Sequence, residues 1–319
     1  MDARVNVEVI KECRSCHSPD LKTAFDLTGS ASFYVSDFVD KDWKAQDALR
    51  APLELMKCQN CTLVQLRHTV NPEQMYRNYW YRSFVNEHMR RHLQGIVYDA
   101  MGQVTLNKGD LVMDIGANDA TLLSFYPHWL ARLGFEPSTS LVIDAQTLGA
   151  GIVIVPDFFR AHWMRTKYPN QKAKIITSIA MFYDLDDPNG FVQDVKSCLD
   201  PFGIWVIEML YLPRMLQHSA FDAICHEHLE YYDINSLLWL LDRNGLEIRR
   251  VELSSINGGS FRIYVGYPTP GEKREWRDTI TDVKIEDFGR QVELIRREIR
   301  GFLEMCYKLK QIVWGYGAS

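Results

Sequence analysis

Residues 224–233, ICHEHLEYYD, crowd histidines, carboxylates, a cysteine and tyrosines into one short run. Three chemistries suit such a run: a metal site, a general base, or simply the polar start of a helix. A zinc-protease pattern needs H-E-x-x-H, with its histidines one helical turn apart. The residue four after His226 is Glu230, so that pattern fails. A base is chemically well served, because a histidine titrates at about 6.5 and an adjacent carboxylate such as Glu227 can raise its basicity or fix its tautomer.

A second set of residues reads as a metal site. Cys13 and Cys16 form CRSC, and Cys58 and Cys61 form CQNC. Two residues between cysteines let both sulfurs of a turn converge on one ion, and two such turns complete a tetrahedral S4 shell. A redox dithiol would need only one pair and a thioredoxin-like setting. Zinc held by four thiolates keeps no open position, so its role is structural. The 41-residue stretch between the pairs (residues 17–57) must form a small subdomain or loop back across its neighbour.

The third set surrounds VMDIGANDATLL, residues 112–123. It reads as a buried strand, a glycine turn and an apolar helix. Asp114 ends the strand, where it can meet an amine or a ribose hydroxyl, and Gly116 lets the backbone approach a ligand. Glu136 ends the next strand, where a carboxylate accepts hydrogen bonds from ribose hydroxyls. The G-x-G-x-x-G of a dinucleotide site is absent, so a ligand with ribose but no pyrophosphate, S-adenosylmethionine, is expected. Asp157, after GIVIVP, is placed to contact the adenine amino group. Any one of these acids alone reads as a helix cap or a solvated loop residue; their order along the chain is what points to a site.

These residues need a frame. Strand signals at DLVMDIG, ARLGFEP, GIVIVPDFF, AKIITSIAMFY and GIWVIEML alternate with helical segments, as a parallel sheet covered on both faces requires. Residues 224–245 read as a helix with a glycine stop. LEIRRVEL and SFRIYVGY follow, joined by the turn SSINGG, and predict a terminal antiparallel pair. Seven strands ending this way fit an α/β, class I methyltransferase sheet. Before it, residues 71–100 open on an Asn-Pro start signal and read as one or two helices, with Tyr76, Tyr79, Trp80 and Tyr81 dense at their head. Residues 273–311 form a charged helical tail. The expected division is a zinc-binding domain over 1–75, a helical connector over 76–105, a methyltransferase domain over 106–270 and a helical extension over 271–319.

Taken in order, the paired CxxC motifs, NYWYRS, DIGAND-TLL, FEPS, DFF, MFYDL, CHEHLEYY and NGGSFRIYV resemble the sugar C-methyltransferases of deoxysugar biosynthesis over nearly the whole chain. The resemblance implies a zinc-containing, S-adenosylmethionine-dependent enzyme that methylates C3 of nucleotide-linked 4-keto-6-deoxysugars. It implies that Asn118 and Asp119 join Asp114, Gly116, Glu136 and Asp157 around the cofactor. Glu227 and His228 correspond to the family's carboxylate and histidine base. Cys225 stands where the family has a tyrosine, Tyr183 near a family histidine, and Ala120 where the loop commonly has glycine. Tyr79 or Tyr81 matches an upstream active-site tyrosine. The resemblance also makes VWGYGAS look like the first strand and turn of a truncated C-terminal Rossmann-like domain.

The bulk composition sets limits. A net charge of -5, with 24% charged and 46% hydrophobic residues, gives no global pull toward nucleic acid or anionic membrane. There is no signal-peptide h-region and no long apolar run, and seven cysteines lack the density of a secreted disulfide scaffold. A cytoplasmic protein is therefore expected; that it acts on a small-molecule ketone is what the resemblance implies. Oligomeric state is left open, with a monomer as the working expectation. The competing readings are a nicotinamide oxidoreductase with a structural zinc and a non-catalytic scaffold.

Overall fold

The computed structural model describes residues 7–27, 51–77, 79–148, 151–271, 275–278 and 284–314. At the N-terminal end, β1 (Val7–Val9), β2 (Leu21–Asp26), β3 (Glu54–Cys58), β4 (Val64–Leu66) and β5 (His68–Val70) are short. β2, β3 and β4 form an antiparallel sheet, and β1 pairs with β5. The first cysteine turn lies between β1 and β2 and the second in the β3–β4 hairpin. The middle of the stretch between the cysteine pairs, residues 28–50, lies outside the described residues.

Two helices follow. Asn71 caps α1 (Pro72–Tyr76) by accepting from Glu73 N, with proline in the first turn where its missing N–H costs nothing. Asn86 caps α2 (Glu87–Met101) by accepting from His88 N and Met89 N. Between them the chain runs extended across the cofactor loop and makes one 3-10 turn, Ser83–Val85.

The central sheet contains β6 (Leu111–Ile115), β7 (Ala131–Phe135), β8 (Ile152–Val155), β9 (Ala173–Ile179) and β10 (Leu199–Leu210). It is covered by α3 (Thr121–Ser124), α4 (Thr139–Leu148), α5 (Ala161–Lys167), α6 (Pro188–Cys198) and α7 (Leu212–His218). Every residue of β6 is buried, as a central parallel strand with both faces covered demands. Beyond α7 come β11 (Glu230–Tyr231), α8 (Ile234–Arg243), β12 (Glu247–Ser254) and β13 (Ser260–Gly266). The seven-stranded order is β12-β13-β10-β9-β6-β7-β8, with β13 antiparallel to both neighbours. This is the class I methyltransferase sheet, and the expected strands all fall in it.

The segment 224–233 departs from expectation. Only Ile234–Arg243 is helical, because Asp233 and Ser236 form a reciprocal capping box that starts the helix there. The residues before it are not helical: the chain bends through Cys225–Glu227 and then runs as a strand over Glu230–Tyr231. β11 adds to β4 as a fourth strand of the N-terminal sheet, Glu230 opposite Gln65 and Tyr231 opposite Val64. Leu66 N donates to Leu229 O at 2.8 Å.

The tail supplies α9 (Ile285–Lys308), which buries Ile285, Phe288 and Val292 and sets Phe288 edge-on to Phe25 at 5.5 Å. Residues 315–319, which carry most of the expected start of a further domain, lie outside the described residues. Among the described residues no helix is long and apolar enough to cross a membrane.

Candidate active site and zinc centre

The four cysteines meet. Cys13 Sγ lies 3.5 Å from Cys61 Sγ and Cys16 Sγ 3.4 Å from Cys58 Sγ, and all four sulfurs fall within 4.8 Å of one another. Zinc–sulfur bonds of about 2.3 Å set tetrahedral S···S edges of roughly 3.8 Å, so the donor set fits the ion. A hydrogen bond from Cys61 draws the Cys13 thiol down to about 5 and pushes Cys61 up, which concentrates negative charge where a cation belongs. Gln65 Nε2 donates to Cys13 Sγ at 3.2 Å.

The first cysteine turn is also fastened to the main sheet's helices. Asn189 Nδ2 donates to Arg14 O and Ser15 O at 3.1 and 2.7 Å, and Arg243 Nη1 to Ser15 O at 3.3 Å. The buried Arg14 guanidinium donates to Leu66 O (2.5 Å) and Thr69 Oγ1 (2.7 Å). Its ion pair with Asp186 at 3.4 Å adds little, because Asp186 is 55% exposed and such pairs contribute about 0–1 kcal/mol. The buried hydrogen bonds matter more, since orphaning one costs about 1–3 kcal/mol.

A cavity of about 940 Å³ opens at the C-terminal ends of β6, β7, β9 and β10. At one end it is lined by Asp114, Gly116, Asn118, Glu136, Pro137 and Phe159. Gly116 turns the chain at φ +74°, a conformation that glycine adopts without strain. Glu136 is buried and accepts from Asn118 N and Ser138 N, both at 2.8 Å, which fixes its carboxylate at the strand end. Burial pushes Glu136 up. The acidic strand ends and apolar floor fit an adenosyl ligand with ribose hydroxyls.

Two expected cofactor residues make protein contacts of their own. Asp119 accepts from Thr121 N and Oγ1 and from Phe84 N, so it ties α3 to the extended connector and does not line the cavity. Asp157 stands at the rim: its Oδ1 accepts from Arg77 Nη2 (3.1 Å) and Phe158 N (2.9 Å), while Arg77 Nη1 reaches Pro137 O. Ala120 takes φ +63° as the N-cap of α3, fully buried and off the cavity wall, so its methyl does not crowd the ligand.

Asp114 is buried, accepts from Thr177 Oγ1 at 2.5 Å, and is pushed up to about 8 by burial. A carboxyl whose pKa rises on folding favours the folded state below its unfolded value, roughly 4, and loses that contribution as pH climbs toward the folded value. Thermal melts should therefore show the wild-type Tm falling relative to Asp114→Asn between pH 5 and about 8. A constant difference across that window would place Asp114 outside the titrating set.

At its other end the cavity is walled by Tyr76, Tyr79, Tyr183 and Asp184. His228 lies one side chain further back, its ring 4.3 Å from Tyr183 and edge-on. His228 Nδ1 bonds to Ala223 O at 2.8 Å. A carbonyl only accepts, so Nδ1 carries the hydrogen and Nε2 keeps a lone pair. Glu227 is buried, and the Sγ of Cys225, a carboxylate oxygen of Glu227 and a ring nitrogen of His228 lie within 4.8 Å of one another. Burial, then Glu227, push Cys225 up to about 12, so its thiol stays protonated at neutral pH. His226 plays a different part, since its Nε2 donates to Ala51 O at 2.9 Å and anchors the segment to the N-terminal module.

The structure separates the two candidate tyrosines. Both line the cavity, but Tyr79 faces Glu227, Asp184 and Cys225, whereas Tyr81 faces Asp119 and accepts from Asn118 Nδ2 through its backbone. Sequence reasoning named Tyr76, whose hydroxyl donates to Glu227 O at 3.3 Å, only as one of the phenols of the aromatic head, and did not name Asp184. Both sit in motifs that were visible, the aromatic head and MFYDL.

A family model described as a methyltransferase domain matches residues 81–251, just over half of the chain, and a zinc binding domain model matches residues 13–76. The chain belongs to the methyltransferase domain family, and it is an S-adenosylmethionine-dependent methyltransferase with a four-cysteine zinc site. The C-methyltransferase NovU of Streptomyces niveus is 26% identical across 98% of this chain and 76% of its own length. Among solved structures, an S-adenosylmethionine-dependent methyltransferase of Clostridium acetobutylicum aligns over 56% of this chain and 92% of that one, with 9% identity and a TM-score of 0.43. Magnesium protoporphyrin IX methyltransferase of Synechocystis aligns over 56% and 79%, with 13% identity and a TM-score of 0.42.

Proposed function

We propose that this methyltransferase removes a proton from a carbon beside a ketone and methylates the resulting enolate carbon, on a nucleotide-linked 4-keto-deoxysugar or a similar activated ketone. The observation that carries the reading is the single cavity joining the Asp114–Glu136 end to the Tyr79–Tyr183 wall, with a histidine of defined tautomer behind that wall. Small-molecule sites span about 300–1,000 Å³, so this volume suits two ligands meeting end to end. The likeness to NovU, named a C-methyltransferase, supports carbon as the acceptor.

Asp114, Gly116, Asn118 and Glu136 would hold S-adenosylmethionine, which would supply an electrophilic methyl group. His228 Nε2 takes the α-proton. Glu227 beside it favours the imidazolium that forms. Tyr79, on the cavity wall and facing Glu227, can donate to the ketone oxygen as charge develops there. Tyr183 positions the His228 ring, Tyr81 holds the cofactor loop, and the neutral Cys225 thiol fills the space beside Glu227. The nicotinamide alternative falls with membership of the methyltransferase family.

Calorimetric titration with S-adenosylhomocysteine should show one site per chain. Nucleoside-diphosphate 4-keto-6-deoxysugars incubated in D2O should then exchange an α-hydrogen, and with S-adenosylmethionine should gain a carbon-bound methyl. A product methylated on oxygen or nitrogen, or no exchange with any such ketone, would overturn the enolate reading while leaving the cofactor site intact.

A further inference from the structure

Among the described residues, Asp184 is the cavity-wall residue that carries a buried side-chain oxygen with no hydrogen-bond partner. It ends the 3-10 turn Phe182–Asp184, directly after Tyr183, and lines the cavity. Its Oδ1 is shut off from solvent and has no hydrogen-bond partner among the described residues. A buried oxygen left unpaired is costly, and costlier still when it carries charge, so Oδ1 disfavours the ionised carboxyl, while the residue's place on the cavity wall sets that acid beside a ligand.

We propose that Asp184 is a catalytic residue, a neutral carboxyl that donates a hydrogen bond to the substrate's ketone oxygen and to the enolate oxygen that replaces it. This rests on the enolate reading of the site.

The surroundings favour a neutral acid. Facing it from the 225–230 segment are Cys225, Glu227, His228 and Glu230. Tyr76 and Tyr79 face it from the connector, along with the adjacent Tyr183 and the more distant Tyr231. His228 is the one cationic candidate in this set, against two carboxyls and a thiol. Burial, joined by Glu227 and Cys225, holds Asp184 well above the usual carboxylate range, with His228 opposing. An ionised Asp184 would repel the developing enolate; a protonated one can donate to it, with its proton staying on Asp184 throughout. His228 still receives the α-proton, so proton and charge balance: one carbon–hydrogen bond breaks, one nitrogen–hydrogen bond forms, and the negative charge rests on the enolate.

The test compares Asp184→Ala and Asp184→Asn in α-hydrogen exchange of thymidine-diphosphate 4-keto-6-deoxyglucose and related 4-keto nucleotide sugars in D2O. Removing one donor to a developing oxyanion costs about 10²–10³-fold in rate. Asp184→Ala should lose that much, while Asp184→Asn, which keeps a donor, should lose no more than about tenfold. S-adenosylhomocysteine affinity should be unchanged in both, which verifies folding. The wild type should lose exchange in alkali as Asp184 ionises, and Asp184→Asn should lose that limb. The infrared carboxylic-acid carbonyl band at neutral pH should also weaken in Asp184→Asn. Exchange by Asp184→Ala within twofold of wild type, or an alkaline limb that survives in Asp184→Asn, overturns the role of Asp184 alone. Wild type that exchanges no α-hydrogen overturns the enolate reading and this role together.

Discussion

Replacing His228 with asparagine should lower α-hydrogen exchange by about three orders of magnitude, within the range of roughly 10²–10⁴ that a positioned base contributes. Asparagine keeps a side chain of similar polarity near Ala223 O but offers no nitrogen basic enough to accept a proton at neutral pH. Wild-type His228 is prepared to accept one. Its Nδ1–H is held by the Ala223 carbonyl and its ring by Tyr183, which leaves Nε2 as the acceptor. S-adenosylhomocysteine affinity should stay within about threefold, because the cofactor end of the cavity is built from β6, β7 and their loops. His228 lies one side chain behind the cavity wall, so substrate must displace the Tyr183 ring or enter past it. Catalytic hydrogen bonds commonly tighten only once substrate is bound. Mass spectrometry of the ketone after timed exposure to D2O measures the effect. Retained exchange within tenfold would move the base elsewhere.

Several features were legible because their signals are local. Paired cysteines two residues apart specify a tetrahedral S4 site whatever lies between them, and Cys13, Cys16, Cys58 and Cys61 converge accordingly. The buried run LVMDI announces a central strand by composition alone, and its glycine turn follows from Gly116. Asp119 looked like a cofactor ligand because it sits in the same loop as Asn118. Which way an acidic side chain points depends on which backbone N–H groups lie near, and Phe84 N comes from a different segment. The apparent helix at 224–233 failed for a related reason. Its polar residues have a helical look, but the β11–β4 pairing joins positions far apart in sequence, and no local pattern records that. Asp184 was hidden for the opposite reason: next to Tyr183 in MFYDL it reads as an ordinary turn residue. Only burial and the absence of a partner distinguish it.

That same non-local pairing ties the proposed catalytic segment to the zinc module, so zinc should be a condition of catalysis. Chelation, or Cys58→Ser with Cys61→Ser, should abolish methyl transfer and α-hydrogen exchange, by more than about 100-fold, while cofactor binding survives. Metal binding in small zinc modules supplies about 10–16 kcal/mol of folding free energy, as much as a whole domain's net stability of about 5–15 kcal/mol. The sheet β2-β3-β4 is short, so losing the ion should unfold it. With it go the partner strand of Glu230–Tyr231, the Ala51 anchor of His226 and the Leu66–Leu229 bond. The catalytic segment would then lack the backbone that fixes Glu227 and His228, although neither touches a cysteine. The main sheet does not depend on these contacts for its own strand ladders, which explains why S-adenosylhomocysteine should still bind. Zinc content by plasma emission, backbone hydrogen exchange over residues 224–233 and calorimetry on one preparation check the three parts of the claim. Activity that persists after verified zinc loss would show that the catalytic segment is held in place without the ion. Loss of cofactor binding along with activity would show that zinc module and main sheet fold as one cooperative unit, with no division of labour between them.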